Sequence, residues 1–322
     1  MQTRFDFLRR YVWLAVLAAA LVVTTFPVRG ALRRSSGLAD KRIVLLAGRP
    51  SHGPGQHEFR AGSMLLQKAL AGFPGVTVEV FTMGWPTKVV DGKTLDDNAP
   101  LENADAILIY ADGGRGNPGI QGDRIQLLDA LAKKGVGLGF AHYGVEVPAG
   151  APGEAMQRWI GGYYETNWSV NPMWAPPITS LPNHPVTRGV KPFSTHDEWY
   201  FNMRWTADPA LKNRITPILV ATPSDEVRKG PYVSPRGPYD HIIADSGKAE
   251  TMMWVMERPD GGRSFGFTGG HSHNHWGDPN QRRVMLNALL WIAKVDVPAA
   301  GVQDKITAAD LTENLDPKQR RQ

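Results

Sequence analysis

Hydrophobic positions fall into two rhythms along this chain. Lys41-Arg-Ile-Val-Leu-Leu-Ala-Gly48 carries an unbroken apolar run closed by a glycine, the pattern of a strand buried on both faces, and a parallel sheet is its natural place. Glu58 to Leu70 spaces Phe59, Met64, Leu65, Leu66 and Leu70 near the helical period, and Val76 to Phe81 alternates like a second strand. Ala104 to Tyr110 predicts a third strand, Ile120 to Lys134 a helix, and Gly135 to Ala141 a fourth strand. This β-α-β-α-β order predicts a doubly wound α/β domain, with a mainly parallel sheet and helices on both faces.

The rhythm then breaks. From Gly150 to Pro238 the chain is rich in Pro, Gly and Trp, with short strand candidates at Glu198 to Trp205 and Ile215 to Ala221. Long connections of this kind usually cover a site. Order returns at Thr251 to Glu257 and Arg263 to Thr268, which read as a hairpin around Pro259-Asp-Gly-Gly262, and in the helix Asn280 to Lys294. The folded domain is expected over residues 41–298, with a polar tail over 299–322.

Composition changes the picture at the amino terminus. Arg4, Arg9 and Arg10 precede an apolar run from Tyr11 to Phe26, the layout of a secretory signal, with Val28 and Gly30 at cleavable positions. An uncleaved anchor remains the alternative for residues 1–30, residues 31–40 read as a linker, and Arg9-Arg10 leaves general and twin-arginine export both open. The expected location is the periplasm, with membrane contact only through this segment. Residues 1–30 carry four arginines and one aspartate, a net +3, so the formal +5 falls to about +2 without them. The basic balance is therefore a targeting feature, and no nucleic-acid partner is expected. The chain has no cysteine, which excludes disulfides, thiolate catalysis and cysteine metal sites.

Candidate chemistry follows from the strand ends. Ligands of open parallel sheets bind where the strands finish, because loops and helix starts converge there. His52 and His57 follow the first strand, His142 follows the fourth, and His271, His273 and His275 follow the last. A shared pocket is expected, with His142 and His271 as proton-transfer groups. Asp197 and Glu198 are adjacent, so on a strand only one of them can face the reacting groups while the other caps or meets solvent. His271 and His273 form a fair ligand pair for zinc, the one cofactor this pattern suggests, with a third ligand to come from elsewhere. His57, Tyr143, Trp199 and Trp276 are expected to contact substrate, and Trp168 and Trp174 are further aromatic platforms of the kind that hold sugar rings. Gly113 to Pro118 lacks the lysine of a phosphate loop and reads as a turn.

Several segments, in order, carry a resemblance: "IVLLAGRPSHGPGQHEF" (43–59), "GVGLGFAHYG" (135–144), "NHPVTRGV" (183–190), "HDEWYF" (196–201) and "RSFGFTGGHSHNHW" (263–276), followed by "LLWIAKV" (289–295). Together they resemble the ThuA-like family, named for trehalose utilisation. The resemblance implies a flavodoxin-like fold similar to the class I glutamine amidotransferase domain, and a role in carbohydrate metabolism. The family's Asp-Glu pair matches Asp197 and Glu198, and its Gly-His pair matches Gly270 and His271. Where amidotransferases present a nucleophilic cysteine this chain has Gly139-Phe-Ala-His142-Tyr-Gly144, so glutamine hydrolysis by that route is excluded.

Two functional expectations follow. One is an exported enzyme acting on a sugar, glycoside or keto-sugar by histidine and carboxylate acid/base chemistry. The other is a non-catalytic carbohydrate-binding or scaffold domain on a degenerate fold. The partner in either case is a small-molecule sugar, and a homo-oligomer is compatible with both.

Overall fold

The computed structural model describes residues 40–318; the segment expected to be a signal or anchor, nearly all of the expected linker and the last four residues lie outside them. Among the described residues, no helix is long and apolar enough to cross a membrane.

Seven strands form one sheet: β1 (Lys41–Ala47), β2 (Val76–Phe81), β3 (Ala106–Tyr110), β4 (Gly137–Ala141), β5 (Ile215–Ala221), β6 (Glu250–Glu257) and β7 (Arg263–Phe267). Their order across the sheet is β5-β6-β7-β4-β3-β1-β2. β2, β1, β3, β4 and β7 run parallel, and β6 is antiparallel to both of its neighbours. The expected hairpin of β6 and β7 is therefore present, and its second strand joins the parallel set.

Both faces of β1 are buried, as its continuous apolar run requires. Ile43 and Leu45 pack with helices α1 (Phe59–Leu70) and α4 (Pro279–Ile292) on one side. Val44 and Leu46 pack with α2 (Arg124–Lys133) and α3 (Ala151–Ile160) on the other. From β1 the chain steps to β2 on one side and then returns to β3 on the other. That reversal opens a crevice at the carboxyl ends of β1 and β3, where doubly wound sheets bind ligands.

Three features differ from the sequence expectation. Helix α3 lies inside the stretch expected to be irregular; Pro152 at its start and Gly153 mask a face formed by Ala155, Met156, Trp159 and Ile160. The strand expected over Glu198 to Trp205 is two short pieces, Asp197–Glu198 and Arg204–Trp205. Their partners are Met173–Trp174 and Gly162–Tyr163, and Val170↔Phe201 and Ile178↔Phe193 bridge between and beyond them. The insertion is thus one long, interrupted antiparallel hairpin that folds back over the carboxyl end of the sheet.

The third difference is the tail. Residues expected to trail from 299 onwards pack on the domain: Val302 is buried under α4, and Asp316 is 8% exposed. Asn287 on α4 accepts a bond from Val302 N, which a composition-based reading of a polar segment does not foresee.

Candidate functional site

His142 is the first residue after β4. It adopts φ +50° and opens a 3-10 turn, His142–Val145. A left-handed residue between strand and helical turn is costly for a side chain bearing a Cβ, and such strain gathers at functional sites. The His142 side chain is fully buried and aimed along the carboxyl edge of the sheet. His57, also left-handed at φ +46°, ends the loop after β1, and His271 lies just beyond β7.

These three histidines meet. His142 Nε2 lies 3.0 Å from His57 Nε2, His57 Nε2 lies 3.1 Å from His271 Nδ1, and His271 Nδ1 lies 3.3 Å from His142 Nε2. Glu198 completes the group, its Oε2 2.6 Å from His271 Nδ1 and 3.9 Å from His142 Nε2. All four are buried.

The far side of each ring decides what faces inward. His57 Nδ1 donates to Asp112 Oδ1 at 2.9 Å, and His142 Nδ1 donates to the Thr268 carbonyl at 3.0 Å. Carboxylate and carbonyl oxygens only accept, so both rings carry their proton on Nδ1 and turn an Nε2 lone pair to the centre. Burial, then the neighbouring His52 and His271 charges, lowers the pKa of His57; burial, then His57 and His271, lowers that of His142. Both imidazoles are therefore neutral at neutral pH. Glu198 Oε1 accepts from Asn171 Nδ2 at 2.8 Å, which leaves Oε2 to the histidines. Burial raises the Glu198 pKa against the pull of His271.

Asp197 faces the opposite way, as strand alternation requires. Its carboxylate accepts the backbone N–H of Gly270 at 2.8 Å and of Ser272 at 3.0 Å. Burial works against that charge, but His275, His142 and the Gly270 N–H together hold its pKa down to about 2. Asp197 thus shapes the loop that carries His271. Gly270 in that loop has φ +104°, a conformation that suits glycine.

The two histidine-bearing loops are also stitched together. Gln56 and Ser272 form an antiparallel bridge, His57 N donates to His271 O at 2.9 Å, and His273 N donates to Gly55 O at 2.9 Å.

The expected His271/His273 ligand pair does not form. His273 is buried away from the cluster, because the chain enters a 3-10 turn (His273–Gly277) and the alternation of an extended strand is lost. His275 Nδ1 lies 3.4 Å from Asp197 Oδ2. The expected substrate contacts Trp199 and Trp276 are fully buried core residues, so neither can serve as a sugar platform. Trp174 is 5% exposed, and Trp168 has Arg204 over its ring at 3.7 Å and His241 stacked on it at 4.9 Å. Packing of the insertion hairpin uses these aromatic faces. Tyr143 is half-buried at the rim, its ring 5.8 Å from that of His57, and the His52 ring stacks 3.6 Å from His57 on the same side.

Four residues of the site were not found in the sequence. Asp112 lies two residues beyond the end of β3, so the strand-end rule that selected the histidines also points to it. Tyr200 shares the Glu198 side of the chain, with its hydroxyl 3.2 Å from His142 Nε2. Asn171 has no local signal. Glu146 follows the His142 turn and accepts from Thr166 Oγ1 at 3.0 Å; burial first, and then the Glu198 charge, pushes its pKa up to about 7. Gly113, read as part of a turn, has a tighter role: a Cβ there would lie 2.0 Å from the Tyr143 carbonyl oxygen.

The family model for ThuA, trehalose utilisation, matches residues 56–292. The chain belongs to the ThuA family. Among solved structures it is similar to a putative ThuA-like protein from Bacteroides uniformis, at 15% identity and a TM-score of 0.53, covering 79% of this chain and 92% of that one. A glutamine amidotransferase from Thermotoga maritima matches at 9% identity and a TM-score of 0.38, over 80% of this chain and 100% of that one. No relative is found among curated proteins. The ThuA match spans β1's following loop through α4 and so includes His57, His142, Glu198 and His271.

Proposed function

We propose that this ThuA-family chain is a metal-dependent enzyme acting on a sugar or glycoside by acid/base chemistry, with His57, His142, His271 and Glu198 as the ligands. One observation carries the proposal: three imidazole nitrogens face one another at 3.0, 3.1 and 3.3 Å, and two of those rings have their protons fixed on the opposite side. The inward lone pairs of His57 and His142, held that close, repel unless a cation or a shared proton lies between them. Ligands of a tetrahedral zinc with bonds of roughly 2.0–2.1 Å sit about 3.3 Å apart, a spacing that the three histidine nitrogens approach. Asp112, the Thr268 carbonyl and Asn171 are the kind of outer partners that orient metal ligands.

A divalent ion here, zinc first among the candidates, would supply Lewis-acid polarisation of a water or a sugar oxygen. The side chains around it supply the rest. Glu146, with its pKa near 7, can hold a proton at neutral pH and give it to a leaving oxygen. Tyr143 stays a neutral phenol, its pKa pushed up to about 12 by burial and by Glu146, and can donate a hydrogen bond at the rim. A cavity of about 400 Å³ borders Asp112 and is lined by Arg49, Trp85, Thr87, Gln121 and Arg124. Its polar and aromatic lining suits a sugar, in keeping with the family's name. The charged-then-apolar layout of residues 1–30 supports action outside the cytoplasm.

The closure of the cluster favours a second reading. The four residues are 0–5% exposed, and a site closed by four protein ligands is the usual form of a structural ion in a binding or scaffold domain. Metal analysis of the purified chain, followed by turnover assays on a panel of glycosides and keto-sugars, separates the two. The enzyme reading expects about one ion per chain and turnover, both lost in His142→Ala with the circular-dichroism spectrum retained. An ion without turnover leaves the structural reading; no bound ion in medium supplied with zinc and manganese sinks both.

A further inference from the structure

We infer that the carboxy-terminal segment is part of this centre, and that Lys318 is a positioning residue for His57. The inference rests on the metal reading above. Lys318 Nζ donates to the carbonyl of His57 itself at 3.1 Å and to the carbonyl of Gln56. It also lies 3.3 Å from Glu58 Oε1 and 3.8 Å from Asp316 Oδ2, and its side chain is only 5% exposed. A lysine side chain is normally solvated; this one is folded under the loop that follows β1.

The surrounding bonds make a closed circuit. Glu58 Oε2 accepts the backbone N–H of Asp316 at 2.8 Å, and Glu58 Oε1 accepts that of Gly55 at 2.9 Å. One buried carboxylate therefore ties the terminal segment to both ends of a turn whose last residue before α1 but one is His57. Further out, Lys68 on α1 pairs with Asp310 and, at 2.9 Å, with Glu313, holding the segment flat against the domain.

His57 needs such a hold. Its φ of +46° is uncommon for a residue with a Cβ, and the orientation of its peptide groups sets where the ring starts. The ring must then place Nε2 among partners at 3.0 and 3.1 Å. Ligand constellations tolerate roughly 0.5 Å of error before they lose function. Lys318 fixes the two carbonyls on either side of the His57 N–Cα–C unit, while Asp112 fixes the outer nitrogen of the ring. Backbone and side chain of the same ligand are thus pinned by different parts of the chain.

The test uses Co²⁺ as probe on the full chain, with Lys318→Met, Lys318→Arg and the unaltered protein compared by competition titration and by visible absorption. Lys318→Met, folded by circular dichroism, is expected to bind Co²⁺ about 10–100-fold more weakly, with altered ligand-field bands, since loss of an outer partner has that size of effect. Lys318→Arg, which keeps the charge and the donors, should recover most of the affinity and the original bands. A purely stabilising role would lower the melting temperature and leave both readouts alone, so equal affinity and identical bands in folded Lys318→Met overturn the inference. If Lys318→Met does not fold, Lys68→Ala releases the segment at its exposed end; about a threefold weakening supports the inference and none overturns it. Failure of the unaltered chain to bind Co²⁺ is a different result: it sinks the metal reading and this inference with it.

Discussion

At the scale of single residues, position relative to a strand end was the most informative signal. It selected His57, His142 and His271, which converge, and the alternation of neighbouring side chains separated Asp197 from Glu198 correctly in direction. It could not say which carboxylate turned inward, because that depends on the register of the hairpin opposite. The tryptophans misled for a physical reason: a large apolar ring in a Pro-rich stretch reads as a platform, yet Trp199 and Trp276 sit against glycines and fill the core. Glu146 had no signal at all, since its raised pKa comes from burial and from a carboxylate 52 positions away in sequence. That shift has a sign that can be measured. A carboxyl whose folded pKa is about 7 against an ordinary 4.5 penalises the folded state above pH 7, and the penalty fades as pH falls from there towards 4.5. Glu146→Gln should therefore melt higher than the unaltered chain at pH 8, with the gap closing by pH 5. A gap of the same size at both pH values would show that the carboxyl is not perturbed.

At the scale of elements, continuous apolar runs and helical spacing found β1 to β4, the β6/β7 hairpin, α1, α2 and α4. The insertion was harder. Apart from β5, which its apolar run marked, the strand pieces there are two residues long, too short for any periodicity, and they are recognisable only by their partners across the hairpin. The small hairpin Thr87–Val90 and Lys93–Asp96 did carry a readable cue in Asp91-Gly92, both left-handed as a tight turn demands, but its exposed strands lack an apolar face. Asp197 is where the insertion hairpin grips the sheet. Asp197→Ala leaves the buried Gly270 N–H and the part-buried Ser272 N–H without an acceptor, and should cost on the order of 1–3 kcal/mol in a urea unfolding curve, with Asp197→Asn milder. A loss below about 0.5 kcal/mol would mean that the loop after β7 holds its shape unaided.

At the scale of the whole molecule, the fold class and the family were both legible, while the closing of the site was not. Its four clustered side chains come from residues 57, 142, 198 and 271, so no local window contains more than one of them. A group that binds only when all four segments are in place stabilises the entire domain. Dialysis against a strong chelator should lower the melting temperature by roughly 5 °C, taking a site held near 100 times its Kd at about 2.7 kcal/mol and about 2 °C per kcal/mol for a chain of this size. Restored zinc should reverse the change, and an unchanged melting curve would show that nothing bound there supports the fold. The bridge between Gln56 and Ser272 has a further consequence for such an ion. β1 and β7 are separated in the sheet by β3 and β4, so the joined loops form an arch over two strand ends, with the histidine cluster beneath it. Entry and exit of an ion bound there would require the arch to lift, and its residence time would be set by the rate at which two loops part company as well as by the strength of its bonds.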